Sequence, residues 1–285
     1  MTTGNAMEAE SSTLRVGFIG LGLQGAPIAR RIVQSGFETT LWARRPESLE
    51  PFADTAAKTV GTPAELAAAS DVVCICVIAD DDVRQVVTGA AGVLSGLAPG
   101  GVIVVHSTIH PDTCRELADL AGAQGVSFVD APVSGGPVAA AEGRLLVMAG
   151  GDADAVERAR PVLETFAGPL VHLGGVGSGQ VTKLLNNLLF TANLSTAYST
   201  FTLGESLGVD PAKLGEVIAH GTANSFALGR VVNAGITLDR IAAHAGALLR
   251  KDVGLVAELA EGAAAQTGIV LTAADATLGL MGHER

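Results

Sequence analysis

Lys183 is the side chain best suited to acid–base chemistry, because it stands in an otherwise apolar, amide-bearing stretch, GSGQVTKLLNNLLF, that begins at Gly177. Residues four apart share a helix face, so Lys183 and Asn187 would point at the same small volume. Leucine neighbours would desolvate the ammonium and lower its pKa towards the range of a general acid. Asn187 could orient the ammonium and exchange hydrogen bonds with a hydroxyl group. The alternative is a lysine that snorkels to solvent at a helix start and does no chemistry.

A second chemical pattern is the hexapeptide GLGLQG, which follows a short apolar run and leads directly into a helical pattern. The first glycine of such a loop permits a tight turn, the second lets backbone approach a pyrophosphate, and the third lets helix and strand pack closely. Phosphate oxygens would meet free N–H groups at the helix N-terminus. The loop predicts that Gly20, Gly22, Leu23, Gln24 and Gly25 bind a dinucleotide; the alternative is an ordinary glycine-rich turn.

The end of the second apolar run, LWARR, bears on which dinucleotide would bind. A site for NAD usually has Asp or Glu here, where it holds the ribose hydroxyls. Arg44 and Arg45 stand there instead, and guanidinium groups suit the 2′-phosphate of NADP through paired charge-assisted hydrogen bonds. The pair favours NADP, with NAD still possible, and the alternative is two solvated arginines.

A third segment, DAPVSGGP, follows another apolar run. With the hydroxyl of Ser134, the backbone N–H groups of Gly135 and Gly136 could form an anion-binding nest for a carboxylate. Taken alone, such a segment is more often a turn. Late in the chain Lys251 and Asp252 interrupt an apolar helical pattern, which by itself predicts a surface ion pair.

These residues need a framework that brings strand ends and helix starts together. Apolar runs and helical patterns alternate from about residue 14 to residue 173, which predicts a doubly wound α/β domain. The predicted strands cover 16–19, 41–42, 72–78, 102–105, 126–129 and 145–149. Thr62 and Asp210 each precede a proline and predict helix caps. The expected parts are a disordered tail over 1–13, a Rossmann-like dinucleotide-binding domain over 14–176 and an all-α domain over 177–285 that begins with one long helix.

The composition excludes several classes of protein. A formal net charge of −11 disfavours nucleic acid, whose phosphates need Lys and Arg. No membrane span and no signal peptide are expected, because apolar stretches are interrupted and the N-terminus is polar and acidic. The three cysteines do not suggest a disulfide framework, and free thiols fit a reducing cytoplasm best. No metal site is predicted: Cys74 and Cys76 lack a second ligand pair nearby, and a strand followed by a loop does not hold His106 and His110 in register.

Together the four motifs resemble the β-hydroxyacid dehydrogenase family, which includes 3-hydroxyisobutyrate dehydrogenases and glyoxylate/succinic semialdehyde reductases. The resemblance runs from Arg15 to about Gly279. In the family's order, the motifs are the glycine loop, DAPVSGG, the stretch from Gly177 to Asn187, and Lys251-Asp252. The resemblance implies a Rossmann-like domain and a helical domain, with a cleft between them that cofactor and substrate share. Members are usually homodimers or homotetramers built through the helical part.

The implied activity is hydride transfer between nicotinamide and a small β-hydroxyacid or its semialdehyde. Lys183 falls on the family's catalytic lysine, which protonates the carbonyl oxygen during reduction and takes the proton back during oxidation. Asn187 matches an amide that orients the substrate. Ser134, Gly135 and Gly136 match the loop that holds the substrate carboxylate.

The resemblance also implies residues on the cofactor side. Thr108 lies in a segment, with Ser107, that matches one beside the nicotinamide. Lys251 matches a lysine that lines the cofactor site and is also expected to bind the substrate. Arg44 falls where members that use NADP carry a phosphate-binding arginine.

Some residues depart from the family's pattern. Gln24 replaces a methionine in the glycine loop, and Arg31 stands where Asn is common. Ala43 replaces an Asn that often precedes the selecting arginine, and His106 stands where Asp is frequent. These changes leave the chemistry intact and leave the substrate open.

Two other functions remain open. Imine reductases are similar in fold and glycine loop, but they usually carry Asp or Tyr at the position of Lys183. A cofactor-binding protein without turnover would keep the fold, although such relatives tend to lose this lysine. A 6-phosphogluconate dehydrogenase would need a longer helical part.

Overall fold

The computed structural model describes residues 14–285, and the chain divides into two units. The first unit runs to Gln180, and the second runs from Val181 to Arg285. The sequence patterns place the change from α/β to all-α structure between 176 and 177. The tail expected over 1–13 lies outside the described residues.

Within the described part of the first unit, parallel strands form a six-stranded sheet in the order β3-β2-β1-β4-β5-β6. These strands are β1 (Arg15–Ile19), β2 (Glu38–Trp42), β3 (Lys58–Thr59), β4 (Val72–Ile75), β5 (Val102–Val105) and β6 (Ser127–Asp130). The order reverses between β1 and β4, and loops that leave the carboxyl ends of strands at such a point form a ligand-binding crevice. The doubly wound α/β fold is therefore confirmed.

A second, three-stranded sheet follows in the first unit. It contains β7 (Val133–Ser134), β8 (Leu145–Ala149) and β9 (Ala167–His172), with β7 antiparallel and β9 parallel to β8. The sequence patterns predict β8 with these bounds and miss β7, β9 and the two-residue β3. Strands of two residues have no periodicity to detect, and β9 is largely exposed and lacks an apolar run.

Helices cover the main sheet. In the first unit they are α1 (Gly25–Gln34), α2 (Pro63–Ala68), α3 (Asp80–Thr88), α4 (Pro111–Gly122), α5 (Gly136–Ala141) and α6 (Ala153–Leu163), with 3-10 helices at Pro46–Phe52 and Val93–Ser95. The predicted cap at Thr62 is confirmed, because its hydroxyl accepts a hydrogen bond from the N–H of Glu65 at 3.1 Å. The carboxylate of Glu65 accepts a hydrogen bond from the N–H of Gly61 at 2.8 Å, so the backbone donors of Gly61 and Glu65 are both satisfied.

The core of the first unit lies in two apolar layers on either side of the main sheet. Successive strand residues point to opposite faces, so Phe18 packs in one layer and Ile19 in the other. This arrangement explains the uninterrupted apolar strands of the sequence, since a parallel sheet is covered on both faces. The strand predicted over 72–78 ends earlier, at Ile75, and Ile78 is exposed.

The described residues of the second unit are helical, apart from turns and loops. The helices are α7 (Ser178–Ser206), whose first turn belongs to the first unit, α8 (Pro211–His220), α9 (Phe226–Asn233), α10 (Asp239–Gly262) and α11 (Gly268–Leu280). The cap predicted at Asp210 is confirmed by a bond of 3.0 Å from the N–H of Lys213. Within residues 14–285, no helix is both long enough and apolar enough to cross a membrane.

One titratable ring lies in the core of the first unit, at the carboxyl end of β5. The ring of His106 stacks near Phe18 and meets Phe166 edge-on, with centroid distances of 6.4 and 5.4 Å. Its Nδ1 donates to the carbonyl of Ala131 at 2.9 Å, which leaves Nε2 buried without a partner among the described residues. Burial lowers the pKa of His106 to about 4.

The depressed pKa makes stability depend on pH. Because the unfolded chain takes up this proton near the usual pKa of 6.5 and the folded chain only near 4, His106 favours folding fully above about pH 6.5. That contribution, of order 3 kcal/mol, is lost as the pH falls towards 4. We expect the urea midpoint of the wild-type protein, measured relative to that of His106→Asn, to fall over this window, because the variant keeps a donor for Ala131 but takes up no proton. The exposed His220→Asn is the control, and equal slopes for His106→Asn and wild type would contradict the assignment.

Candidate active site

The glycine loop occupies the turn between β1 and α1. Gly20 has φ +96°, and a Cβ there would lie 2.2 Å from the carbonyl oxygen of Cys76. A Cβ on Gly25 would lie 1.9 Å from the carbonyl oxygen of Gly20, so the helix could not approach the strand with any other residue. A Cβ on Gly22 would meet nothing within 4 Å, so this glycine faces open space. Two glycines are therefore required by packing, and the third leaves room for a ligand to approach the backbone.

The predicted phosphate-binding donors lie at the start of α1. Gln24 is the N-cap residue and makes no side-chain cap, and the first turn of the helix has no acidic residue. Leu23 is exposed, while the side-chain amide nitrogen of Gln24 is buried without a partner among the described residues. Unsatisfied N–H groups and the positive end of the helix dipole make this end attractive to phosphate.

A cavity of about 390 Å3 opens beside the loop. It is lined by residues from Gly20 to Gly22, from Trp42 to Arg45, and from α3 and its flanking loops. Its position at the carboxyl ends of β1 and β2 is where a doubly wound sheet binds the adenosine end of a dinucleotide. The residues present therefore fit the adenosine end of a dinucleotide.

Both predicted phosphate-binding arginines line this cavity, but Arg44 already has a partner. Its Nη1 lies 3.1 Å from Oδ1 of Asp82, in the first turn of α3. The side chain of Arg44 is 69% exposed and that of Asp82 is 25% exposed. The guanidinium is therefore accessible to a ligand and is held by a carboxylate that the sequence pattern does not predict.

The loop after β5, which contains Thr108, is held by side-chain bonds within the first unit. The hydroxyl oxygen of Ser107 accepts from the N–H of Val77 at 2.9 Å. The amide of Gln180 donates to the carbonyl of Ser107 at 2.8 Å and accepts from the N–H of Ile109 at 3.1 Å. Gln180 is fully buried and brackets Thr108 on both sides. Gln180 was not among the predicted site residues, although an amide near the start of a largely apolar helix was a detectable signal.

The start of α7 is held by a buried carboxylate. Asp130, at the end of β6, accepts hydrogen bonds from the N–H groups of Gly177 at 2.7 Å and Gln180 at 2.8 Å. Burial raises the pKa of Asp130 to about 6, and these backbone bonds oppose the rise. A Cβ on Gly179 would lie 2.4 Å from the carbonyl oxygen of Met148, so only glycine fits at this contact. Asp130 begins the DAPVSGGP segment, but the sequence pattern predicts no role for it.

The predicted carboxylate-binding segment forms the turn between β7 and α5. Ser134 ends β7, and Gly135 and Gly136 have φ values of +133° and +76°. A Cβ on Gly135 would meet Ala139 at 2.8 Å, whereas one on Gly136 would meet nothing within 4 Å. Successive backbone groups at positive φ can present N–H donors to an anion.

In the second unit, Lys183 is buried on α7, with 8% of its surface exposed. Burial lowers its pKa to about 8; the charge of Asp252 opposes this shift, and that of Lys251 adds to it. Leu184 and Leu188 are buried in the core of this unit, but Leu185 and Leu189 are exposed and do not desolvate the ammonium as expected. The lysine is therefore an acid whose pKa lies near neutral pH, as general acid–base catalysis requires.

Asn187 and Lys251 lie with Lys183 around one buried carboxylate. Nδ2 of Asn187 donates to Oδ2 of Asp252 at 2.6 Å, and Nζ of Lys251 lies 3.3 Å from Oδ1. Asp252 is only 4% exposed, so the expected surface ion pair is wrong: a half-buried lysine faces a buried aspartate. Because a carboxylate only accepts, it fixes the Asn187 amide with its oxygen available to donors; Asn186 donates to that oxygen at 3.1 Å.

Metal ligands do not cluster in the described chain. Within residues 14–285, no group of three His, Cys, Asp or Glu side chains is arranged to hold a metal ion. His106 bonds to the carbonyl of Ala131, and Nδ1 of His110 accepts from the N–H of Asp112 at 3.1 Å.

Two family models cover this chain almost end to end. The model described as the NAD binding domain of 6-phosphogluconate dehydrogenase matches residues 15–175. The model described as NAD-binding of NADP-dependent 3-hydroxyisobutyrate dehydrogenase matches residues 177–281. The chain belongs to the β-hydroxyacid dehydrogenase family.

Relatives and solved structures agree with this family. A probable 3-hydroxyisobutyrate dehydrogenase-like protein of Arabidopsis thaliana is 36% identical over 88% of this chain and 84% of its own. An L-threonate dehydrogenase of Cupriavidus necator is 34% identical over 86% of this chain and 83% of its own. The solved structure of 3-hydroxyisobutyrate dehydrogenase from Mycobacterium tuberculosis, with L-serine, has a TM-score of 0.83 at 29% identity and covers 95% of this chain and 94% of that one. The β-hydroxyacid dehydrogenases among these relatives are NAD(P)-dependent oxidoreductases of small hydroxyacids.

The charge of Asp252 opposes the effect of burial on the pKa of Lys183, and this opposition can be tested. Asp252→Asn keeps an acceptor for Asn187 but removes the charge that raises the lysine pKa, so we expect that pKa to fall below about 8. The fraction of unprotonated amine at neutral pH should then increase. The rate at which cyanate, a small amine reagent, carbamylates Lys183 measures that fraction and can be followed by peptide mass spectrometry. The exposed Asp239→Asn on the same helix is the control, and a rate in Asp252→Asn no faster than in wild type would refute the balance.

Proposed function

We propose that this β-hydroxyacid dehydrogenase interconverts a small β-hydroxyacid and its semialdehyde, with NADP as the favoured cofactor and Lys183 as the general acid. The observation that carries the proposal is the buried Lys183, whose pKa of about 8 lies close to neutral pH. When bound, the nicotinamide supplies or accepts the hydride. The protein contributes the proton, the orientation of the substrate and the exclusion of water.

Lys183 moves the proton in this proposal. In reduction its ammonium donates a proton from Nζ to the carbonyl oxygen of the substrate as that oxygen gains electrons. In oxidation the neutral amine takes the proton of the hydroxyl group. A pKa of about 8 leaves most of the lysine protonated at neutral pH, so either direction has its required form within about one pH unit.

The other predicted site residues orient the substrate in this proposal. Asp252 holds Asn187 so that its amide oxygen is available to a hydroxyl group or to the ammonium. We assign the substrate carboxylate to the donors of Ser134, Gly135 and Gly136, because backbone at positive φ suits an anion. Lys251 adds positive charge that favours an acidic substrate and the cofactor phosphates.

The cofactor is assigned from the cavity beside the glycine loop. Arg44 and Arg45 line it, and the exposed guanidinium of Arg44 suits a 2′-phosphate. The second family model is described for an NADP-dependent enzyme, which supports the same preference. We assign Thr108 to the nicotinamide end, since the loop that carries it is held by Gln180 and Ser107.

A homodimer or homotetramer in the cytoplasm remains our expectation. In the second unit, exposed apolar side chains on α7, on α8 and in the turn between them, such as Leu203, Val217 and Leu207, would suit an interface between copies.

Removal of the lysine tests the mechanism. General acid–base catalysis contributes roughly 10²–10⁴-fold to rate, so Lys183→Ala should lose about that much turnover and keep cofactor affinity. The loss of nicotinamide absorbance would be followed with glyoxylate, succinic semialdehyde, methylmalonate semialdehyde, tartronate semialdehyde and a cyclic imine. The exposed Lys213→Ala is the control. Unchanged turnover in Lys183→Ala would refute the role of Lys183 as the general acid. Turnover of the imine alone would identify the protein as an imine reductase.

The pH dependence of kcat/KM is a second test of the role of Lys183. Because reduction needs the protonated lysine, kcat/KM for a semialdehyde should fall as the pH rises through about 8. Oxidation needs the neutral amine, so its kcat/KM should rise over the same range. The residual activity of Lys183→Ala should not change with pH near 8. If the same pH dependence persists in this variant, the titration belongs to another group.

Arg44 tests the cofactor preference. Hydrogen bonds between charged groups contribute about 1.5–3 kcal/mol. Arg44→Glu should therefore weaken the binding of NADPH by roughly tenfold or more and change the binding of NADH far less. Dissociation constants measured for both cofactors decide the point. An equal effect on the two would refute the phosphate-binding role.

A further inference from the structure

An ion pair with Asp82 holds Arg44 at the wall of the proposed cofactor cavity. Arg44 follows β2, and Asp82 stands in the first turn of α3, so two separate elements bring the charges to 3.1 Å. Both side chains line the same cavity of about 390 Å3. A ligand that binds through Arg44 must therefore bind beside Asp82.

Asp82 differs from its two acidic neighbours on α3. Asp80 accepts from the N–H of His110 at 2.9 Å and from the hydroxyl of Thr113 at 2.6 Å, so it fastens α3 to the start of α4. Asp81 is fully exposed and lies 3.6 Å from Arg84. Asp82 is three-quarters buried, which leaves its carboxylate little freedom to swing away from Arg44.

The pair has opposite consequences for the two cofactors. A 2′-phosphate carries a charge of about −1.5 to −2 at neutral pH, so it competes with Asp82 for the guanidinium and is repelled by the carboxylate. The ribose of NAD has a 2′-hydroxyl in place of the phosphate. That hydroxyl can donate to a carboxylate, as it does to the acidic residue of an NAD site.

We propose that Asp82 is a specificity-determining residue, which holds Arg44 and opposes the 2′-phosphate so that the cavity accepts NAD as well as NADP. The proposal rests on the proposed role of Arg44 in binding the phosphate. It assigns to α3 the acidic group that the end of β2 lacks. The cavity thus contains one group for each cofactor, and the charge of Asp82 sets the ratio between them.

The protein contains its own probe for this site. Trp42 is the single tryptophan of the chain, lines the cavity, and is held by a bond of 3.1 Å from its Nε1 to the carbonyl of Gly61. Quenching of its fluorescence, with energy transfer to the reduced nicotinamide, reports cofactor binding without turnover. Dissociation constants for NADPH and NADH can therefore be measured on the whole protein in the absence of substrate.

The decisive variant is Asp82→Asn, which keeps the shape of the side chain and removes its charge. We expect the dissociation constant for NADPH to fall by about tenfold, since one repulsive charge near the phosphate is removed. That for NADH should stay level or rise a few-fold. Asp81→Asn, on the same helical turn but fully exposed, is the matched control and should leave the ratio of the two constants unchanged.

Three outcomes would separate this proposal from the one on which it rests. If Asp82→Asn leaves the ratio unchanged while Arg44→Glu weakens NADPH selectively, the role of Arg44 stands and that of Asp82 fails. If Arg44→Glu affects both cofactors equally, the phosphate site itself is refuted. If Asp81→Asn shifts the ratio as much as Asp82→Asn, the effect is one of general charge, and the specific role of Asp82 is overturned.

Discussion

The buried carboxylate of Asp130 organises the first unit around the start of α7. It accepts N–H groups from Gly177 and Gln180, which are among the unpaired donors that every helix N-terminus leaves. Burial of a carboxylate costs free energy, and the hydrogen bonds and dipole of the helix start offset part of that cost. Gly179 completes the contact, because a side chain there would collide with the carbonyl of Met148. The beginning of α7 is thereby held by hydrogen bonds to one residue at the end of β6 and by the close contact at Gly179.

The same helix turn holds a neighbouring loop. Gln180 donates to Ser107 and accepts from Ile109, so the segment around Thr108 is held by an amide with both functions used. Two buried polar side chains, Asp130 and Gln180, therefore hold the start of α7 and the loop around Thr108 in one arrangement, which non-directional apolar contacts could not do. Their hydrogen bonds are directional and leave one arrangement of the loop.

Electrostatic opposition recurs in the proposed chemistry. Burial lowers the pKa of Lys183, while Asp252 raises it, and the result lies near 8. In the cofactor cavity Arg44 attracts a phosphate, while Asp82 holds the arginine. In each place a partly desolvated charge is balanced by an opposite charge on a separate element, so its strength can be tuned by one substitution. Such groups are common at functional sites, where a moderate affinity or pKa is required.

The sequence by itself was enough for features that depend on neighbours along the chain. The glycine loop, the alternation of strands and helices, the caps at Thr62 and Asp210, and the spacing of Lys183 and Asn187 all follow from local periodicity and backbone geometry. The short β7 and the exposed β9 were missed, because two residues have no period and an exposed strand has no apolar run.

Only the tertiary structure decided which charges meet. Asp82 is 38 residues from Arg44, Asp130 is 47 from Gly177, and Asp252 is 65 from Asn187. No local pattern encodes such pairs, since their distance in space is set by the order of strands in the sheet and by the packing of helices. Lys251 and Asp252 show most clearly what a local pattern cannot predict. The sequence predicts a solvated ion pair, but packing buries the aspartate.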